Sequence, residues 1–172
     1  MEFNKEHYKK EFEKLLAKKD SKKFFIRESR ALFKINKFIQ KGIDSLNLAK
    51  FVKESDQNAG AYWSITICYY SMLYVAKAAI LTKGYETDDH YSTQIALGKL
   101  LVPNEIEKED LELLEQAHKI FDNDYVEYFE DARKESSVSR YSPTKVYAER
   151  RVKDIFSKAT EFIGKLRLII GE

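Results

Sequence analysis

Residues Ala59–Ala76 read AGAYWSITICYYSMLYVA, eighteen positions without a charge in a chain of which 34% is Asp, Glu, Lys or Arg. That length sits at the lower limit for a membrane-spanning helix. The run also holds Gly60, Ser64, Thr66, Ser71 and four tyrosines, which suits the middle helix of a bundle, buried on most sides, better than a lipid environment. A helix is predicted from about Asn58 to Thr82. Lys83-Gly84 closes it, with Gly84 in the left-handed conformation that ends helices.

The flanking segments have the amphipathic patterns needed to enclose such a helix. Upstream, Leu32, Ile35, Phe38, Ile39, Ile43 and Leu46 recur at three- and four-residue spacing within a predicted helix from about Ser21 to Glu54. Gly42 is expected to bend or interrupt it. A shorter, heavily charged helix from about Asn4 to Lys19, with Asn4 as a cap, is read as an N-terminal extension covering 1–26, ahead of the main domain at 27–172. Downstream, YETDD is read as a loop. A short helix from His90 to Leu101 ends before Pro103, and another starts near Glu105 and runs to about Lys134. ESSVSRYSP is a loop by its serines and proline. The last helix opens near Pro143 and carries Val152, Ile155, Phe156, Ala159, Phe162, Ile163 and Leu166 as one apolar stripe. No alternating strand pattern is evident. Six glycines and two prolines in 172 residues leave few turns. The expected fold is all-α, an antiparallel up-and-down bundle of five to six helices.

The composition narrows function mainly by exclusion. A net charge of +2 is too small for a general nucleic-acid coat, so binding of that kind needs a local cluster. The single cysteine, Cys68, allows neither an internal disulfide nor a thiolate metal cluster. It is read as a small buried apolar residue, and the usage fits a cytoplasmic protein. MEFNKEHYKKEFEKLL lacks the apolar core of a signal peptide. His7, His90 and His118 show no metal-ligand spacing. The acidic group Asp122, Asp124, Glu127, Glu130 and Asp131 has no glycine-bearing loop and reads as a charged helix face. Neither a phosphate-cradling glycine motif nor a nucleophile elbow is present. No cofactor or metal is expected.

The stretch AYWSITICYYSMLYVAKAAILTKGYETDDHYSTQIALGKLL (61–101), preceded by SLNLAKFVKES (45–55), resembles the core of HEPN domains. Tyr69-Tyr70-Ser71-Met72 stands at the centre of the helix, Lys83-Gly84 at its end and His90 at the start of the next. Ala148, Ala159 and Phe162 of the final helix fit as well. The resemblance covers about Ser29 to Leu168. It implies a helical bundle, often a homodimer through its central helices, that commonly works with a small nucleotidyltransferase as a toxin–antitoxin pair. Some members are metal-independent ribonucleases, whose active site joins an Arg to a His across four to six intervening residues, before the last helix. Others bind nucleotides or protein partners.

The ribonuclease motif is incomplete here. The four-to-six window after Arg133 holds Val138, Ser139 and Arg140; after Arg140 it holds Lys145, Val146 and Tyr147. No histidine stands in either. Imidazole is the group that can both take and give a proton near neutral pH, and tyrosine and lysine titrate far higher. No catalytic residue is therefore assigned. Arg133, Arg140, Arg150 and Arg151 are four of seven arginines within nineteen positions. Guanidinium forks suit phosphate, and so does the N-terminus of the last helix. The candidate phosphate or nucleotide site is Arg133, Arg140, Tyr147, Arg150 and Arg151, with Tyr70 and His90. The alternative is a solvated surface offset by Glu130, Asp131, Glu135 and Glu149. Tyr69 and Tyr70 are either both packing residues, or one of their hydroxyls lines the site. His90 either caps or packs its helix, or turns toward Tyr70.

Overall fold

The computed structural model describes residues 3–18, 24–55, 59–119 and 144–171, without the side chains of 55, 59–62 and 144–149. Among the described residues six helices carry the fold: α1 Lys5–Ala17, α2 Phe33–Ser55, α3 Ala59–Thr82, α4 His90–Leu100, α5 over 108–119 and α6 Thr144–Ile170. The expected continuation of α5 to Lys134 and the serine-rich segment lie outside the described residues. The protein is an all-α bundle built around α3.

The uncharged run forms that central helix. Met72, Val75, Ala76, Ala79 and Ile80 are completely enclosed, and burying each large aliphatic side chain contributes about 1.5–3 kcal/mol. By length and composition Trp63–Thr82 passes for a membrane span, yet 67% of that window is buried inside the protein. Its apolarity is accounted for by α2 on one side and α6 on another. Cys68 is 1% exposed, and burial pushes its thiol up to about 12. Gly84, at φ 83°, ends α3 as expected.

Small residues decide how closely the helices approach. Ser64 Oγ donates to the Ala49 carbonyl at 3.1 Å, and Ser71 Oγ to the Gly42 carbonyl at 2.6 Å. These pairs put α2 antiparallel to α3. Gly42 does not interrupt its helix, and α2 is continuous through it. The missing side chain serves packing, because a Cβ there would overlap Val75 Cγ2. Lys53 Nζ over the Phe156 ring sets the middle of α6 beside the C-terminal end of α2. Lys165 with Asp110, and Lys83 with Glu105, set its end beside the C-terminal end of α3.

Two expectations are corrected by a small sheet. β1, Ile26–Glu28, pairs antiparallel with β2, Tyr85–Thr87, in the register Ile26↔Thr87, Arg27↔Glu86, Glu28↔Tyr85. The helix expected from Ser21 thus starts only at Phe33, and most of the YETDD loop is strand. Three-residue strands are too short to show alternation. The pairing is fixed across the strands, where Arg27 Nη2 lies 2.6 Å from Glu86 Oε2. Lys34 bonds the other oxygen of the same carboxylate.

α1 docks on α4. Phe12 and Leu15 enter the same core as α3. Tyr8 lies against Gly98, where any Cβ would overlap its ring, and Tyr91 Oη donates to Glu11 at 3.2 Å. Asn4 caps α1 as anticipated, its side chain accepting from the His7 amide at 3.1 Å.

Candidate functional site

The helical phase of α3 separates neighbouring tyrosines. Tyr69 points into the core at 2% exposure, and Tyr70 emerges at 39%. Trp63, Ile67, Tyr70, Tyr74 and Lys77 follow one another at three- and four-residue steps, so they share the solvent side of α3. The positions between them are largely buried.

A chain of ring contacts crosses this region. Phe38 of α2 lies nearly parallel to Tyr74, with centroids 6.5 Å apart and 17° between the planes. Tyr74 is 6.4 Å from Tyr70, and Tyr70 is 5.3 Å from Tyr69. Tyr69 meets His118 of α5 edge to face at 5.2 Å, and His118 stacks on His90 at 3.8 Å. The helix-cap alternative for His90 is corrected: Asp89 is the N-cap of α4, in a reciprocal capping box with Ser92. His90 is exposed and packs on the second imidazole. Its link to Tyr70 runs through His118 and Tyr69. Separation in sequence hid His118, which only the packing of α5 on α3 and α4 delivers.

Cations collect at one end of the ring chain. Lys41 Nζ sits 4.4 Å above the Tyr74 ring, and Lys37 Nζ lies 5.8 Å from the centre of the Phe33 ring. Lys77 Nζ donates to the Asp88 carbonyl at 2.6 Å. Burial lowers the Lys77 ammonium from its usual range, against the pull of Asp88, Asp89 and Glu86. These lysines escaped the sequence reading because lysine is spread over the whole chain.

The arginines lie elsewhere. Arg150 and Arg151 are exposed near the start of α6, whose first turn carries no acidic residue. The contact of Lys53 with Phe156 puts the middle of α6 beside the end of α2, and Arg150 and Arg151 precede that contact by six and five residues. Tyr147 falls in the first turn of α6, but its side chain lies outside the described residues, as do Arg133 and Arg140 altogether. Of the seven candidate residues, Tyr70 and His90 thus share one ring cluster, and Arg150 and Arg151 form a separate cationic group. Among the described residues no three His, Cys, Asp or Glu side chains converge to hold a metal ion.

Comparison with protein families identifies what this bundle is. Residues 35–169 match the HEPN domain. The chain belongs to the HEPN family. The match runs from the first turn of α2 to the last turn of α6, so both the ring cluster of α3 and the arginines of α6 are parts of the HEPN domain, whereas α1 and β1 precede the matched segment. No curated protein matches the chain. Membership makes this a nucleotide- or RNA-related module in general terms.

Proposed function

We propose that this HEPN domain binds a nucleotide or RNA through phosphate contacts at the start of α6, and acts beside a nucleotidyltransferase partner in a toxin–antitoxin-type system. The observation that carries the reading is the exposed pair Arg150–Arg151 near a helix start that has no acid in its first turn. Free backbone amides and guanidinium groups together favour an anion. Arg133 and Arg140 precede this helix in the sequence. A homodimer is part of the proposal. Leu48 and Phe51, one turn apart on α2 and 51% and 66% exposed, supply apolar surface for it.

The test is equilibrium binding of labelled ATP and of a short RNA to the purified chain, with Arg150→Ala/Arg151→Ala beside it. The double variant is expected to bind at least tenfold more weakly while its melting temperature holds. Unchanged affinity would remove α6 from the site. Co-expression with a neighbouring nucleotidyltransferase should yield a complex that survives gel filtration, and two separate peaks would discard the partner.

A metal-independent ribonuclease is the second reading. One observation favours it: His90 and His118 stack face to face beside Tyr69. Imidazoles are the acid–base groups that the Arg-to-His motif lacks in this chain. Incubation with total RNA under chelator decides. Cleavage lost in both His90→Ala and His118→Ala supports the enzyme, and intact RNA with the native chain rejects it.

A further inference from the structure

Leu32 and Phe33 adjoin each other where β1 passes into α2, and they are 60% and 69% exposed. A single exposed apolar side chain is ordinary; adjoining ones rimmed by charge point to a contact surface. The corner that carries them is fixed. The Ser29 amide donates to the Gly84 carbonyl at 2.8 Å, tying the corner to the end of α3, and the Ala31 amide donates to Ser29 Oγ at 3.3 Å. The Leu32, Lys34 and Ile35 amides donate to the Arg30, Ala31 and Leu32 carbonyls at 2.8, 2.9 and 3.0 Å. From Arg27 to Lys41 the sequence sets Arg27, Arg30, Lys34, Lys37 and Lys41 against one carboxylate, Glu28. Glu86 takes up Arg27 and Lys34 from across the sheet, and Lys41 lies over the Tyr74 ring. Arg30 and Lys37 are exposed, and neither is within ion-pair distance of a carboxylate among the described residues. Lys37 Nζ is 5.8 Å from the centre of the Phe33 ring, so this cation stands beside the apolar pair.

We infer that this corner seats on a membrane surface rich in anionic lipid: Leu32 and Phe33 enter the acyl boundary, and Arg30 and Lys37 meet headgroup phosphates. A bilayer offers that layering, apolar beneath negative, and needs no pocket shaped to the pair. Long cationic stems reach back to the headgroups while the tip is buried. A second copy of the chain fits less well, because a two-fold contact through this corner sets each copy's Arg30 and Lys37 near their own counterparts. Two apolar side chains and two cations make a weak, reversible contact. The contact is peripheral, since α3 stays enclosed in the bundle. Leu48 and Phe51 are about four turns further along α2, and the inference is independent of the proposed dimer and of the α6 arginines.

Co-sedimentation of the full chain with phosphatidylcholine vesicles, and with vesicles in which about one lipid in three is phosphatidylserine, tests it. Binding is expected to the anionic vesicles alone and should fall with added salt. Arg30→Gln/Lys37→Gln should weaken it about thirtyfold, at about fivefold for each cation. Leu32→Ser/Phe33→Ser should weaken it about tenfold or more. Phe33→Trp, placed in a Trp63→Phe chain, should shift its emission to the blue on the anionic vesicles. Leu32, Phe33, Arg30 and Lys37 are all exposed, and melting curves verify that the variants fold. A native chain that ignores anionic vesicles overturns the inference. Binding that Leu32→Ser/Phe33→Ser leaves unchanged, with no blue shift at Phe33→Trp, is adsorption by charge alone and overturns it too. A lower solution mass by light scattering in Leu32→Ser/Phe33→Ser, with vesicle binding intact, assigns the pair to a second copy of the chain and also overturns it. Equal affinity for polyglutamate and for anionic vesicles, lost alike in Arg30→Gln/Lys37→Gln, assigns the corner to an acidic protein instead.

Discussion

The Ser71 hydroxyl of α3 donates a 2.6 Å hydrogen bond to the backbone carbonyl of Gly42 in α2. A Cβ on Gly42 would overlap Val75 Cγ2 and lie 3.1 Å from the Ser71 carbonyl oxygen. Gly42→Ala therefore sets two effects against each other. Helix propensity favours alanine by up to about 1 kcal/mol. Overpacking against a stiff, fully buried β-branched neighbour costs about 1–3 kcal/mol. The expected result in urea denaturation is net destabilisation, partly reversed by Val75→Ala in the same chain. A stability gain from Gly42→Ala alone would show that the helices can separate without penalty.

Gly98→Ala should act locally. Its Cβ would lie 2.6 Å from Tyr8 Cε1, and Tyr8 belongs to a peripheral helix that can move away. Hydrogen exchange is expected to rise over α1, with Phe12 and Leu15 losing their burial, while α3 stays protected. Adding Tyr8→Ala should relieve the overlap and restore part of the protection. Uniform loss of protection across α3 would mean that α1 is integral to the whole core.

Glu86 ties the small sheet to α2 and should set an acid limit on stability. Burial opposes its ionisation, but the bonds from Lys34 and Arg27 outweigh this and hold the carboxyl below its ordinary 4.5. A carboxyl depressed on folding stabilises fully above its unfolded value, and the stabilisation fades as pH falls through the folded one. Stability should thus drop below about pH 4.5 in the native chain. Glu86→Gln should lose about 2 kcal/mol at pH 7 and show a shallower decline in acid. Parallel pH profiles for the two proteins would rule this group out.

The Cys68 thiol, at about 12 and enclosed, is predominantly protonated at pH 8. Reaction with an aromatic disulfide reagent should be slow in the native protein and immediate in denaturant. Rapid native labelling would contradict the burial of this side of α3.

Periodicity and charge alone determined that this chain is helical, where its uncharged central helix runs, that Asn4 caps the first helix and that Gly84 closes the central one, because these follow from local preferences and from the need to hide one continuous apolar surface. They offered Tyr70 and the arginine group as candidates, and left open which of Tyr69 and Tyr70 faces solvent. Only the tertiary structure decided the rest. β1 and β2 exist because residues 59 positions apart exchange hydrogen bonds, and Gly42 and Gly98 are contact points because another helix lies on them. His118 reaches His90, and Lys41 reaches Tyr74, through packing between elements that no spacing within a single helix encodes.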